Sequence, residues 1–191
     1  MSKTALILCS KSQSRALLLQ EAGIAFEQRS VGFDEESICT DNAYRFVYEA
    51  AKGKMETAVA RLGLEVPLLT ADSVIATQSG EILRKPKDEA QAYAILKKQS
   101  GSKIAIISNV HYRTRNFLFV DTSATHYRFA PFDEADMERY IRSGEWRGKA
   151  GGCMVEGFCK RYIQEVRGLE STARGLQVEV IRPWLEGSSD V

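Results

Sequence analysis

The sequence is poor in the residues that build structural metal centres. It has two histidines and four cysteines among 191 residues, and no two cysteines show the CxxC spacing. This scarcity argues against a structural zinc site, and we expect free thiols in a reducing cytosol. The formal net charge is +1, so the chain lacks the basic excess of a broad nucleic-acid-binding surface. The cysteines are Cys9, Cys39, Cys153 and Cys159.

Long apolar runs are absent as well. The opening stretch over residues 4–9 is far shorter than a secretory signal, and no run approaches the roughly 20 residues of a membrane-spanning helix. We therefore expect a soluble, cytoplasmic protein with no membrane partner. With 44% apolar residues, the chain can bury a full core, and we expect one domain over residues 1–186 and a short tail over residues 187–191.

The most informative segment is a predicted β-hairpin that carries an acid and a base. Residues 68–76 are mostly apolar, too short for a typical helix and interrupted by Asp72. A serine-glycine turn precedes a second short apolar run, which ends at Lys85 before a proline. Because an unpaired buried carboxylate costs several kcal/mol, we expect Asp72 at a strand end, where it meets solvent, a ligand or a metal.

A serine-rich loop at residues 10–15 separates the opening strand from a helix predicted over residues 16–22. The N-terminus of a helix offers free N–H groups and a positive dipole end to an anion, and Ser10, Ser12 and Arg15 add donors. The serines are also typical helix caps, and the loop lacks the glycines of a P-loop. Both interpretations stay open at this point.

A second helix, predicted over residues 42–62 with Asp41 as its N-cap, carries a lysine on its apolar face. Lys54 lies seven residues after Val47 and four after Ala50, and therefore on the same stripe. Its ammonium group must either snorkel to solvent or meet an anion.

The remaining chain continues to alternate helices and strands, as an α/β protein does. Asp88 and Asp133 are predicted N-caps of two further helices. Two strands are predicted over residues 103–112 and 117–128, and each contains one histidine. A glycine-rich loop over residues 146–152 would let backbone approach a ligand closely.

Taken together, the charged residues suit a metal-bound polyphosphate. Glu35 and Asp72 supply the carboxylate oxygens that Mg²⁺ takes alongside phosphate oxygens. Lys54, Lys85 and Arg15 would neutralise the phosphoryl oxygens, and one carboxylate can deprotonate the attacking water. Spacing alone allows a second interpretation, in which the same residues form surface ion pairs.

These segments resemble motifs of the Maf family of nucleoside triphosphate pyrophosphatases, in the family's order and across nearly the whole chain. Residues 10–19, SKSQSRALLL, resemble the opening loop S-x-S-P-R-R-x-x-L-L. Residues 71–75, ADSVI, are similar to the strand A-D-T-V-V, and residues 82–88, ILRKPKD, to I-L-G-K-P-x-D. Further matches are Asp34 and Glu35 to a D-E pair, Lys54 to the helix lysine, YIRSGE at 140–145, KAG at 149–151, Gly168, and GL at 175–176.

The resemblance implies hydrolysis of a nucleoside triphosphate to the monophosphate and diphosphate. It implies a Maf/inosine triphosphatase-like α/β fold, with a central mixed twisted sheet flanked by helices and two lobes around an active-site cleft. Asp72 would accept the proton, and Glu35 with Asp72 would hold a divalent metal, Mg or Mn. Lys54 and Lys85 would bind and polarise phosphates. The implied substrate-binding residues are Ser10, Ser12, Arg15, Lys149 and Glu156.

Several departures fall on these motifs. Gln13 and Ser14 replace the proline and first arginine of the opening loop, and Arg84, in place of a glycine, is a candidate substitute for the lost charge. KAGGC at residues 149–153 lacks the aromatic residue of K-A-G-A-Y, and glutamine replaces the proline of G-L-P. Glu156 stands where many relatives carry glutamine. A carboxylate accepts from the N–H groups of guanine, so we favour a guanine-type or modified base, with dTTP and UTP next.

The family resemblance also implies roles in keeping modified nucleotides out of nucleic acids and in restraining septum formation. Relatives suggest a homodimer, for which strand edges and the apolar residues around Trp146 are candidates. Two other classes of function stay open. The altered loop favours a catalytically weak nucleotide-binding regulator of septum formation, and in the last interpretation the charged cleft is incidental to a structural or interaction protein.

Overall fold

The computed structural model describes residues 6–186. The first two residues of the predicted opening strand, Thr4 and Ala5, and the predicted tail over residues 187–191 lie outside the described residues. Within residues 6–186, no helix combines the length and the apolar character needed to cross a membrane.

Over residues 6–186, the chain forms a central mixed sheet of seven strands. The strands are β1 Ile7–Leu8, β2 Glu27–Gln28, β3 Leu68–Thr77, β4 Ile82–Leu83, β5 Lys103–Arg113, β6 Leu118–Phe129 and β7 Ile163–Arg167. Their spatial order is β2-β1-β3-β5-β6-β7, with β4 paired to β3. β1 runs parallel to β2 and β3, and the other pairs are antiparallel. This confirms the predicted α/β class with a central mixed sheet.

Helices cover both faces of the sheet. The α-helices are α1 Gln13–Glu21, α2 Ala43–Leu62, α3 Glu89–Gln99, α4 Glu134–Ser143, α5 Glu170–Ala173 and α6 Val178–Glu186, and the 3-10 helices are Glu35–Ser37, Ala150–Gly152 and Phe158–Tyr162. The apolar stripe of α2 packs against one face, through Val47 and Ala50 onto Val74. The opposite face packs against α1 and α6 at one end and against α3 and α4 at the other.

The helix starts differ slightly from the predicted ones, because side-chain caps fix them. α1 begins at Gln13 and not at residue 16, since Ser12 is its N-cap and its side chain accepts a bond from the Arg15 N–H. α2 is capped by Asn42 and not by Asp41. The predicted caps Asp88 and Asp133 are confirmed.

The predicted hairpin is confirmed. On one edge of β3, an interval of residues has no neighbouring strand among the described residues. β3 pairs with β5 along its whole length. On its other edge, β1 pairs with residues 68–69 and β4 with residues 75–76. No strand among the described residues pairs with residues 70–74 on that edge. Asp72 therefore lies where loops from both faces of the sheet can reach it.

The prediction of free thiols is wrong for two of the four cysteines. Cys153 and Cys159 form a disulfide, with Cα atoms 6.7 Å apart. The chain between the second and third 3-10 helices turns back on itself, which brings the two residues within bonding reach. Cys9 and Cys39 are free.

Trp146 is likewise unavailable for a dimer contact, because it is 2% exposed. Its Nε1 donates to the carbonyl oxygen of Ile141 at 3.1 Å. The homodimer itself stays a prediction.

We expect His111 to make the fold less stable in acid. The side chain is buried on β5 beside the ring of Tyr48, and burial, with the nearby charge of Lys52, lowers its pKa to about 4. An unfolded histidine binds its proton at a pH of about 6.5. Stability should therefore fall, by about 3 kcal/mol in total, as the pH drops from 6.5 to 4.

Urea denaturation at several pH values measures this loss. His111→Gln should remove that part of the slope. The exposed His126 on β6 offers the matched control His126→Gln. Equal slopes in wild type and His111→Gln would contradict the prediction.

Candidate active site

The centre of the site is a lysine held between two carboxylates. Lys54 Nζ lies 2.5 Å from Asp72 Oδ1 and 2.6 Å from Glu35 Oε1. Asp72 is 5% exposed, and Glu35 is about one-third exposed at its side chain. The predicted alternatives for Lys54 are thereby decided: its ammonium group meets anions and does not snorkel to solvent.

Each of the three residues is fixed by its own element. Lys54 points from the inward stripe of α2, and α2 is tied to β3 by a bond of 2.9 Å from Thr70 Oγ1 to the carbonyl oxygen of Ala51. Glu35 opens a 3-10 helix whose N-cap, Asp34, accepts from a backbone N–H at 3.0 Å. Asp72 belongs to β3, on the face that α2 covers.

The position predicted for Asp72 is wrong. It lies in the middle of the ten-residue strand β3 and not at a strand end. The reason is that the carboxylate is not alone: the ammonium group of Lys54 compensates much of the desolvation that would otherwise exclude it from a buried strand.

The two carboxylates have pKa values displaced in opposite directions. Burial raises the pKa of Asp72, an effect that Glu35 adds to and that Lys54 opposes. Burial also raises the pKa of Glu35, but the charge and hydrogen bond of Lys54, with the charges of Lys85 and Arg15, bring it below the ordinary value. Two neighbouring carboxylates whose pKa values are shifted in opposite directions are typical of active sites in which the two groups have different acid and base roles.

Arg15 approaches the same edge of β3 from the opposite face of the sheet. Its Nε donates to the carbonyl oxygen of Gly175 at 2.8 Å, one terminal nitrogen donates to Ser10 Oγ at 3.1 Å, and the other to Ser73 Oγ at 3.1 Å. Burial lowers the pKa of Arg15, while the charges of Asp72 and Glu35 raise it. The guanidinium group is thus held in one orientation within the field of both carboxylates.

A chain of hydroxyl groups supports Arg15. Ser73 Oγ lies 2.7 Å from Ser108 Oγ, and Ser108 Oγ donates to the carbonyl oxygen of Thr172 at 2.7 Å. Gln28 Nε2 donates to the carbonyl oxygen of Ser10 at 2.8 Å and so braces the loop before α1. Ser73, Ser108 and Gln28 are not among the residues predicted from the sequence. The signal that could have found the first two is their register, because they are small polar residues directly opposite each other in two apolar strands.

The structure is compatible with both interpretations of the serine loop, as a helix cap and as an anion site. Ser12 caps α1, and Ser10 Oγ accepts from Arg15 and from the Ser12 N–H. Arg15, on the first turn of α1, nevertheless reaches Ser73, the neighbour of Asp72, and the charge of Asp72 acts on Arg15.

Lys85 and Lys149 lie on the two segments that adjoin this centre. Lys85 is exposed, just after β4, and its charge acts on Glu35. The glycine-rich loop docks onto the same hairpin, since the Gly151 N–H donates to the carbonyl oxygen of Arg84 at 3.2 Å. Gly151 has φ 65°, and a Cβ there would lie 2.4 Å from Cδ1 of Ile75, so this approach requires glycine. Lys149 Nζ lies 5.9 Å from the Tyr140 ring centre.

Two residues of the predicted site lie differently from the rest. Glu156 is exposed between the disulfide cysteines, and its charge acts on Arg174 and Tyr127. Arg84 stacks over the ring of Phe46 at 5.0 Å, about two turns of α2 away from Lys54. In this position, Arg84 does not supply the charge that the opening loop has lost.

The two carboxylates of this centre match the ligands that a hard divalent cation takes from a protein. Among residues 6–186, no three His, Cys, Asp or Glu side chains converge as a metal site, so a cage made only of protein ligands is not formed there. Glu35 and Asp72 bring two carboxylates to one ammonium group. Mg²⁺ is commonly held by one or two carboxylates together with phosphate oxygens and waters, which these two residues match.

Comparison with known proteins gives the family. Residues 5–188 match the family model described as Maf-like protein, so the chain belongs to the Maf family, as its motifs predicted. It is 56% identical over 174 residues to a nucleoside triphosphate pyrophosphatase of a Nitratiruptor species, covering 90% of this chain and 94% of the relative. A protein of the same name from Helicobacter pylori is 38% identical, with 91% of each chain covered.

Solved structures with a similar arrangement are more distant. A nucleoside-triphosphatase, dITP/XTP pyrophosphatase, from Mycobacterium abscessus covers 96% of this chain and 95% of its own, with a TM-score of 0.46 and 17% identity. The Ham1 protein of Staphylococcus aureus covers 65% and 71%, with a TM-score of 0.45 and 15% identity. Because these scores are low, the fold class rests on the sheet topology described above.

Proposed function

We propose that this protein hydrolyses a nucleoside triphosphate to the monophosphate and diphosphate. The observation that carries the proposal is the Glu35–Lys54–Asp72 centre beside Arg15, at the unpaired interval of β3. Its relatives named nucleoside triphosphate pyrophosphatase support the same reaction.

Asp72, Glu35 and Lys54 have different roles in the proposed reaction. Asp72, with its raised pKa, accepts a proton from the attacking water as the bond between two phosphates breaks. Glu35, with its lowered pKa, stays ionised. Lys54 is a cation already desolvated beside both groups, so it can stabilise charge on a phosphoryl oxygen without further reorganisation.

Arg15 is suited to hold the leaving phosphates. A guanidinium group has five N–H donors, and three are used by Gly175, Ser10 and Ser73. The others can donate to phosphate oxygens while the protein bonds fix the orientation of the plane. Lys85, exposed at the rim, adds a mobile positive charge.

A divalent cation belongs to the proposal, with Mg²⁺ or Mn²⁺ as candidates. Glu35 and Asp72 would hold it together with phosphate oxygens. When bound, it would supply positive charge that neutralises the triphosphate.

The base is proposed to be read near Glu156. The Cys153–Cys159 disulfide closes a short loop around this exposed carboxylate, which limits the positions it can take. A carboxylate accepts from adjacent N–H donors, so we propose a guanine-type or modified base ahead of dTTP and UTP. Removal of modified nucleotides from the cellular pool and restraint of septum formation are the corresponding proposed roles.

The experiment is diphosphate release from a panel of nucleoside triphosphates, modified bases included, with Mg²⁺, Mn²⁺ or a chelator. We expect turnover with either metal, loss of turnover with the chelator, and the highest kcat/KM for a guanine-type or modified base. Preference for dTTP or UTP would contradict the base proposal alone. Absence of turnover across the panel would contradict the enzyme.

One observation favours a second candidate, a catalytically weak nucleotide-binding regulator. The opening loop has Gln13 and Ser14 where its relatives' motif has a proline and an arginine, and Arg84 lies over Phe46 and does not replace the lost charge. This candidate predicts a nucleotide-dependent rise in melting temperature with negligible turnover, which the same panel followed by thermal melting distinguishes.

A further inference from the structure

The segment that carries Glu35 has little regular structure of its own. Between β2 and α2 the only helix or strand described is the three-residue 3-10 helix Glu35–Ser37. Nevertheless, its first residue places a carboxylate oxygen 2.6 Å from Lys54 Nζ. In a segment with so little regular structure, side-chain contacts with α2 help to keep this carboxylate in place.

Those contacts include an aromatic ring seated on a helical glycine. Phe33, two residues before Glu35, packs on Gly53, the residue before Lys54. A Cβ added to Gly53 would lie 2.2 Å from Cε2 and 2.3 Å from Cζ of the Phe33 ring. Real Cβ atoms do not approach a ring so closely, so this packing exists only with glycine at position 53.

Backbone conformation does not explain this glycine. Gly53 lies in the interior of α2, where its backbone is helical and where alanine favours the helix more than glycine does. The close approach of Phe33 is the structural feature that uses the missing side chain.

We infer that the Phe33–Gly53 contact is a positioning device that sets the distance between the Glu35 carboxylate and Lys54. The inference rests on the proposed function for its effect on turnover. The ring and the glycine each precede a charged residue of the site by one or two positions, so their contact fixes the two backbones close to the ion pair. Neither Phe33 nor Gly53 touches the reacting atoms.

The rest of the segment is anchored independently, so changes at this contact should act locally. Val31 packs beside Met55 and Ala58, and Ile38 packs into the cluster that contains Phe46. Within the turn, Ser37 Oγ donates to the carbonyl oxygen of Asp34 at 2.6 Å. The ends of the segment therefore stay attached when the ring contact is altered.

The test is a double-mutant cycle with Gly53→Ala, Phe33→Ala and the double variant. The methyl group of Gly53→Ala must displace the ring, and with it Glu35, so we expect kcat to fall about tenfold to 100-fold, with a smaller change in KM for the nucleotide. Phe33→Ala should lose less. Adding Gly53→Ala to Phe33→Ala should cause no further loss, because the clash no longer exists.

An NMR titration of the Glu35 side-chain carboxyl carbon gives a readout that needs no turnover. In Gly53→Ala the pKa of Glu35 should rise, since the carboxylate moves away from Lys54. If wild type has no turnover, the proposed function fails and this titration alone decides the inference. Wild-type kcat and an unchanged Glu35 titration in Gly53→Ala, or additive losses in the double variant, would overturn it.

Discussion

Replacing Asp72 with asparagine is expected to reduce kcat for a nucleoside triphosphate by about 10²- to 10⁴-fold, the usual contribution of a general base. The amide has nearly the same shape but cannot accept the proton of water. The fold should persist, because the substitution removes a carboxylate whose burial is unfavourable and leaves Lys54 paired with Glu35. Diphosphate release and thermal melting measure the two effects.

The same residue sets the acid limb of the wild-type pH profile. Asp72 acts as a base only when ionised, and burial raises its pKa above the ordinary value of 3.8. The kcat/KM value should therefore decline with falling pH earlier than an unperturbed aspartate would allow. Asp133→Asn is a matched control, since Asp133 is an exposed helix cap and asparagine caps equally well. More than a tenth of wild-type kcat in Asp72→Asn would contradict the assignment.

Replacing Lys54 with methionine is expected to affect both turnover and stability. The carboxylates of Asp72 and Glu35 would lose the cation that lies within 2.6 Å of each, and removing one partner of a buried ion pair costs about 3–5 kcal/mol. We expect about 3 kcal/mol at neutral pH, because Glu35 is partly solvated. Loss of a preorganised positive group should lower kcat by about 10²- to 10³-fold.

The pH dependence of this destabilisation has a definite sign. Without Lys54, the pKa of Asp72 rises further, so the folded variant binds a proton more readily than the unfolded chain. The deficit should therefore be largest above that pKa and should shrink as the pH falls through it. Urea denaturation from neutral to acid pH follows the change.

Lys52→Met is the matched control for Lys54→Met. Lys52 lies on the same helix, is about half exposed and forms an i,i+4 pair with Glu56 at 3.9 Å, so its loss should cost less than about 1 kcal/mol at neutral pH. Equal destabilisation by the two variants, or wild-type turnover in Lys54→Met, would contradict the role given to Lys54.

The parts of the site that could be predicted from sequence are those that depend on local sequence patterns. The hairpin of Asp72 and Lys85 follows from two short apolar runs around a glycine turn. The helical period of α2 predicts that Lys54 lies on the apolar face, but it leaves open whether the ammonium group snorkels or meets an anion. The wrong position of Asp72 has a related cause. The free-energy cost of burial expected for Asp72 is that of an unpaired carboxylate. The compensating charge of Lys54 lies 18 residues earlier in the chain, outside the pattern of the hairpin.

The parts that could not be predicted depend on contacts between distant segments. Arg15 is oriented by Gly175, 160 residues away, and Ser108 reaches Thr172 across 64 residues. No local periodicity encodes such pairs, and small polar residues in strands have many ordinary explanations. The disulfide was missed for a different reason: its six-residue separation has no standard motif, and its formation depends on the turn between two short 3-10 helices.

The unpaired interval on β3 also bears on self-association. An open strand edge is a template onto which a strand of another molecule can add, the first step towards aggregation. On β3, the interval without a neighbouring strand among the described residues covers only residues 70–74, and β1 and β4 pair with the strand on either side of it. Asp72 at its middle places a charge where an incoming strand would have to pack. The stretch is thus too short and too charged to recruit a neighbouring chain.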